Sequence, residues 1–122
     1  MLNNRELGKL GEDIAANHIS KNGYIILERN FRTKIGEIDI IARQDNYLVF
    51  IEVKTRKSIN FGYPREAVDK AKQLKIINIG NLYLAQKKQF NNHIRFDVIE
   101  IMLYSNNEIK SIIVLKNAFS CK

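Results

Sequence analysis

The chain has 122 residues, with 20 Lys and Arg against 13 Asp and Glu, for a formal net charge of +7. That length bounds it to one domain, 1–122, with a modest core, and a content of 45% hydrophobic and 27% charged residues excludes a disordered or fibrous chain. A pI near 9.6 points to a polyanionic partner, nucleic acid before a membrane surface.

No stretch reaches the length of a membrane span, and the N-terminus shows no secretory apolar core. The single cysteine, Cys121, permits no intrachain disulfide, so a cytoplasmic protein is expected. His18 and His93, with one Cys, argue against structural zinc.

Leu7, Leu10, Ile14 and His18 recur at helical spacing over residues 3–21, and Asn22-Gly23 ends that helix. Residues 24–27 read as a strand and 29–34 as a basic connection. A hairpin follows, 36–43 and 47–55, turned by Asp45-Asn46. Residues 57–63 read as a polar loop carrying Gly62. Pro64 suits a first helical turn, with Glu66 and Asp69 near the positive end of the helix dipole. That helix runs to about 86 with Ala67, Ala71, Leu74, Asn78 and Leu82 on one face. A turn at 89–92 leads to strands 94–103 and 109–115, and 117–122 is expected to fray. The order α-β-β-β-α-β-β predicts an α/β fold, a mixed β-sheet flanked by helices.

Chemistry concentrates in the hairpin. Asp39 lies in Gly36-Glu37-Ile38-Asp39-Ile40-Ile41, and Glu52 and Lys54 lie in Val49-Phe50-Ile51-Glu52-Val53-Lys54. Strand alternation puts Glu52 and Lys54 on one face and Val49, Ile51 and Val53 on the other; it also groups Asp39 with Glu37 and Ile41. Charges on apolar strands are costly unless they pair or bind metal. Two hard carboxylates suit Mg²⁺, with Mn²⁺ as a substitute. The Asp-x12-Glu-x-Lys spacing fits metal-assisted phosphodiester cleavage. Asp39 and Glu52 would hold the ion, and Lys54 would orient a water or stabilise the transition state. The plain alternative is a solvated hairpin face with an ordinary Glu–Lys pair.

Glu37 reads as an outer acceptor or a cap for the turn after Gly36. Arg95 and Asp97 share a strand face, which favours a buried structural ion pair over a site role. Arg29, Arg32 and Lys34 precede the acidic strand, Arg56 and Lys57 follow it, and the second helix adds Arg65, Lys70, Lys72 and Lys75. Such residues contact phosphates without reading sequence.

Gly36-Glu37-Ile38-Asp39, Phe50-Ile51-Glu52-Val53-Lys54-Thr55-Arg56, Pro64-x-Glu66-Ala67-Val68 and Arg95-Phe96-Asp97-Val98 together resemble the YraN family of bacterial proteins. The likeness spans Gly8 and Glu12 to about residue 101. That family is similar to the PD-(D/E)xK nucleases, and among them to archaeal Holliday-junction resolvases. The resemblance implies a restriction-endonuclease-like fold and catalytic roles for Asp39, Glu52 and Lys54. Ile38 stands where the superfamily name has proline. A glutamate on the first helix completes the metal site in resolvase-like members, and Glu12 is its counterpart here; the competing reading is a surface glutamate beside Asp13. Gln73 matches a helix position that related nucleases place near the metal. The expected protein is a Mg²⁺-dependent endonuclease acting on structured or branched DNA as a homodimer. Arg32, Lys34, Arg56, Lys72 and Gln73 are the candidate nucleic-acid contacts. The alternative is a non-catalytic nucleic-acid-binding accessory protein on the same fold.

Overall fold

Helix α1 (Asn4–Ser20) opens on a capping box: Asn3 Oδ1 accepts the Glu6 N–H while Glu6 Oε1 accepts the Asn3 N–H. The structure, a computed structural model, describes residues 1–58, 68–88 and 93–120. After α1, Gly23 at φ +89° turns the chain into the sheet, a conformation open to glycine without steric cost. Strands β1 (Ile25–Thr33), β2 (Gly36–Gln44) and β3 (Tyr47–Lys57) form an antiparallel meander. Helix α2 (Lys70–Lys87) lies in the connection to β4 (His93–Leu103), which pairs parallel with β3, and β5 (Ile109–Phe119) lies antiparallel on β4. The sheet is mixed and five-stranded, ordered β1-β2-β3-β4-β5. This is the helix-flanked α/β architecture that the element order predicts.

Two cores sandwich the sheet. On one face Ala15, Ala16 and Ile19 of α1 pack on Ile40, Ala42, Val49, Ile51, Ile99 and Ile101. On the other, Ile76, Ile77, Ile79 and Tyr83 of α2 pack on Ile38, Ile41, Leu48, Phe50 and Phe96. α1 comes close because Gly11 faces β3; a Cβ there would overlap the Thr55 side chain. Gly80 does the same for α2, where a Cβ would stand 3.2 Å from the Phe50 ring.

Four expectations change. Residues 29–33 are edge strand rather than connection, because Arg29 and Phe31 pair with Ile40 and Ile38. β5 continues through 117–119, held by Phe119 stacking on Phe96 at 5.1 Å and by the Asn117 N–H on Asp97. α2 begins at Lys70, not 64, with Asp69 as its extended N-cap accepting the Lys72 N–H. The α2 face turned inward is the isoleucine face; Leu74 and Leu82 are exposed, as are Ala71 and Asn78. The 59–63 part of the loop with Gly62, Pro64, Arg65, Glu66, Ala67, the 89–92 turn and Cys121 lie outside the described residues.

Candidate functional site

The site forms where β2 and β3 part. Their last paired residues are Ile40 and Ile51. Beyond them β2 stays with β1 to Gly36, and β3 stays with β4 to Lys57. Asp39 is the first β2 residue past the split. Its Oδ2 accepts the Val53 N–H at 2.8 Å, so a carboxylate stands where a strand carbonyl would. The strand also changes phase here: Ile38 and Ile41 face α2, whereas Ile40 and Ala42 face α1. Asn30, at φ +55° in β1, lies opposite this step. Glu37 and Ile41 therefore do not share a face, contrary to simple alternation. On β3 the alternation holds, with Ile51 and Val53 toward α1 and Glu52 and Lys54 toward α2.

Asp39 is 7% exposed and carries a carboxyl raised from 3.8 to about 8. Burial is the main cause, then the Glu52 charge, partly offset by the Val53 N–H. Across the cleft, Lys72 Nζ of α2 lies 3.3 Å from Glu52 Oε2. Two hard oxygen donors with a single ammonium beside them suit a divalent cation. Among the described residues no three acidic, His or Cys side chains converge into a ready-made cage. Mg²⁺ suits such a place, since it keeps several waters and takes one or two carboxylates.

Asp39 and Glu52 open on a cleft of about 310 Å³, walled also by Glu12, Glu37, Asn4, Gly8, Thr55 and Lys72. Glu12 reaches it because α1 lies close over β3 at Gly11. Its carboxyl is raised, by burial first and the Glu37 charge next. A second cleft of about 440 Å³ shares Asn4, Gly8, Glu12 and Glu37 with the first and adds Arg5, Glu6, Lys9, Asn30 and Arg32.

Asp39, Glu52, Glu12 and Lys72 thus border one cleft, with Glu52 and Lys72 in contact, and Arg32 lies in the adjoining cleft, where it bonds Glu37 at 3.1 Å. Lys54 follows Glu52 along β3, in register with Glu100, but is not among the cleft's walls. Lys34 is exposed in the β1–β2 turn, and Arg56 lies further along β3. Gln73 spends its amide on the Val68 carbonyl at 2.8 Å, bracing the start of α2. Arg29 bonds Asp13 at 2.7 Å, and Lys57 bonds the Ser105 carbonyl and Asn107.

Arg95 and Asp97 are the buried structural pair expected. Asp97, fully buried, accepts from Arg95 through both oxygens at 2.8 Å, from Tyr24 Oη and from the Asn117 N–H. Lys72 as a partner of Glu52 was missed. It sits four and seven residues before Ile76 and Ile79, so an inward isoleucine face would have aimed it at the sheet.

The chain matches the model of the family described as uncharacterised protein family UPF0102 over residues 11–101. It is 49% identical over 116 residues to a UPF0102 protein of Clostridium kluyveri, covering 95% of each chain. It is 48% identical over 118 residues to one of Dictyoglomus thermophilum, covering 97% of this chain and 100% of that one. A Clostridium botulinum relative is 52% identical over 117 residues, again 95% of each. The matched span contains Glu12, Asp39, Glu52, Lys54 and Lys72, and the chain belongs to the UPF0102 (YraN) family.

Proposed function

We propose that this protein is a metal-dependent endonuclease that hydrolyses phosphodiester bonds of structured or branched DNA in the cytoplasm. The observation that carries the reading is Asp39, a buried carboxylate set at a split in the sheet, held by the Val53 N–H beside the Glu52 charge and opening on a cleft. Such a pair works against folding unless it has a cation to hold. Asp39 and Glu52 would hold Mg²⁺ or Mn²⁺, with Glu12 of α1 on the wall of the same cleft as the third candidate ligand. When bound, the ion would supply charge neutralisation at the phosphate and acidify a water.

The chain's own residues position the reaction. The Val53 N–H fixes the Asp39 carboxylate, so its orientation is set before any ligand arrives. Lys54, on the same strand face as Glu52, is a fixed cation for charge that builds on the phosphate. Arg32, Lys34 and Arg56 hold the backbone on either side. No covalent intermediate with the protein is required. The resemblance to junction resolvases supports branched DNA, and cutting two strands implies two sites in a homodimer.

A cleavage screen tests this on duplex, forked, four-way and single-stranded DNA with Mg²⁺ or Mn²⁺. The expected result is metal-dependent cleavage of at least the branched substrates, abolished by Asp39→Asn and by Glu52→Gln. Metal-independent binding with no cleavage of any substrate overturns it.

A further inference from the structure

The Glu52–Lys72 ion pair sits inside the cleft, and the fold gives no reason for it. Its two members differ sharply in exposure: the Glu52 side chain is 15% exposed and that of Lys72 44%. An ammonium that solvent already reaches is held weakly, and lysine is a compact charge on a flexible stem. Lys72 is also badly placed for its helix. It lies in the first turn of α2, where the dipole favours anions; the acid at that end is the N-cap Asp69, which is engaged with the Lys72 backbone N–H at 2.8 Å and not with its ammonium. Helix stability therefore does not account for a cation at this position. Two things would offset the cost: the Glu52 carboxylate, and an anion entering the cleft once Glu52 is otherwise engaged.

We propose that Lys72 is a resident counter-cation that holds Glu52 in the metal-free protein, yields it to a divalent ion and then takes a phosphate of the incoming nucleic acid. The ligand's identity rests on the nuclease reading above. One consequence is competition: the ion must displace Lys72 to reach Glu52. Another is coupling. Metal binding frees a cation for the phosphate and phosphate binding frees a carboxylate for the metal, so each strengthens the other by the same factor.

The test uses the metal-free full chain. Mn²⁺ alone is titrated calorimetrically at mildly alkaline pH into wild type, Lys72→Met, Asp39→Asn and Lys70→Met. The last removes the same charge from the same helix turn outside the cleft walls. The expected result is Mn²⁺ binding roughly fivefold tighter in Lys72→Met, little changed in Lys70→Met and lost in Asp39→Asn. Binding of a four-way junction is then measured with and without Ca²⁺. Wild type should gain roughly tenfold in affinity from the ion, and Lys72→Met should lose that gain. Equal Mn²⁺ affinity in wild type and Lys72→Met, with Asp39→Asn still deficient, overturns the counter-cation. Unchanged coupling in Lys72→Met overturns the transfer to phosphate. Mn²⁺ binding that survives Asp39→Asn overturns the metal site as a whole. Coupling that behaves as expected with no cleavage of any substrate supports Lys72's role while overturning only the nuclease reading.

Discussion

Asp39 and Asp97 are one residue type put to opposite uses. Each replaces a strand carbonyl by accepting a backbone N–H, from Val53 and from Asn117. Asp97 also receives Arg95 and Tyr24, so its charge is fully paired. Asp39 receives Glu52, a like charge. Asp97→Ala should therefore strand the Arg95 guanidinium and cost about 3–5 kcal/mol in urea unfolding, leaving Mn²⁺ affinity intact in protein that remains folded. Asp39→Asn should do the reverse. In the metal-free folded chain its carboxyl titrates at about 8 against 3.8 ordinarily. Between those values the folded chain keeps a proton that the unfolded chain has released. Stability from this group is complete below the lower value, falls as pH rises through the window and is gone above the upper one. The urea midpoint should decline across that window in wild type and flatten in Asp39→Asn. A midpoint that climbs there in wild type and not in the mutant contradicts the assigned shift. Lys54 belongs at this scale too. If it acts on the transition state, Lys54→Ala lowers the single-turnover rate by orders of magnitude with junction affinity nearly unchanged, and Lys54→Arg rescues poorly. A modest affinity loss that arginine restores would make it a phosphate contact instead.

At the scale of elements, the helices are set down by their small residues. Gly11, Ala15 and Ala16 line the buried stripe of α1, and Leu7, Leu10 and Ile14 flank it. Gly11 meets Thr55 with no room for a methyl group. Gly11→Ala should lift α1 from β3 and cost about 1–3 kcal/mol. It should also weaken Mn²⁺ binding, because Glu12 rides on the same turn. Adding Thr55→Gly should recover part of both losses, measured by thermal unfolding and calorimetry. Loss of stability without any change in metal affinity would detach Glu12 from the site. On β2, the step at Asp39 is a property of paired elements. It requires β1 to follow with Asn30 at positive φ, and β3 to leave for β4.

The whole molecule carries +7, and its two clefts share Asn4, Gly8, Glu12 and Glu37 as walls beside the carboxylates. Arg5, Lys9 and Arg32 border one cleft and Lys72 the other. Among the described residues no helix is long and apolar enough to cross a membrane. A backbone laid along these clefts should bind with steep salt dependence, each phosphate contact adding roughly −0.9 to the slope of log K against log salt on duplex DNA. Arg5→Ala with Lys9→Ala should reduce the slope by about two without changing sequence preference, read by fluorescence anisotropy over a salt series. A flat salt dependence would argue against nucleic acid as the partner.

The sequence by itself determined the element order, the hairpin, the Asp39–Glu52 pairing and the Arg95–Asp97 bridge. Each of these rests on local signals: period-two alternation, a two-residue turn, charges isolated among apolar neighbours. Only the tertiary structure decided which face of α2 turns inward, and with it that Lys72 meets Glu52, because both faces of that helix carry apolar residues and packing alone chooses between them. The phase step at Asp39 was likewise illegible. Alternation assumes regular extended backbone, and β2 breaks phase at that residue, opposite Asn30 at positive φ in β1. The extension of β5 to Phe119 depended on Phe96 and Asp97, whose partners Phe119 and Asn117 lie twenty or more residues further along the chain.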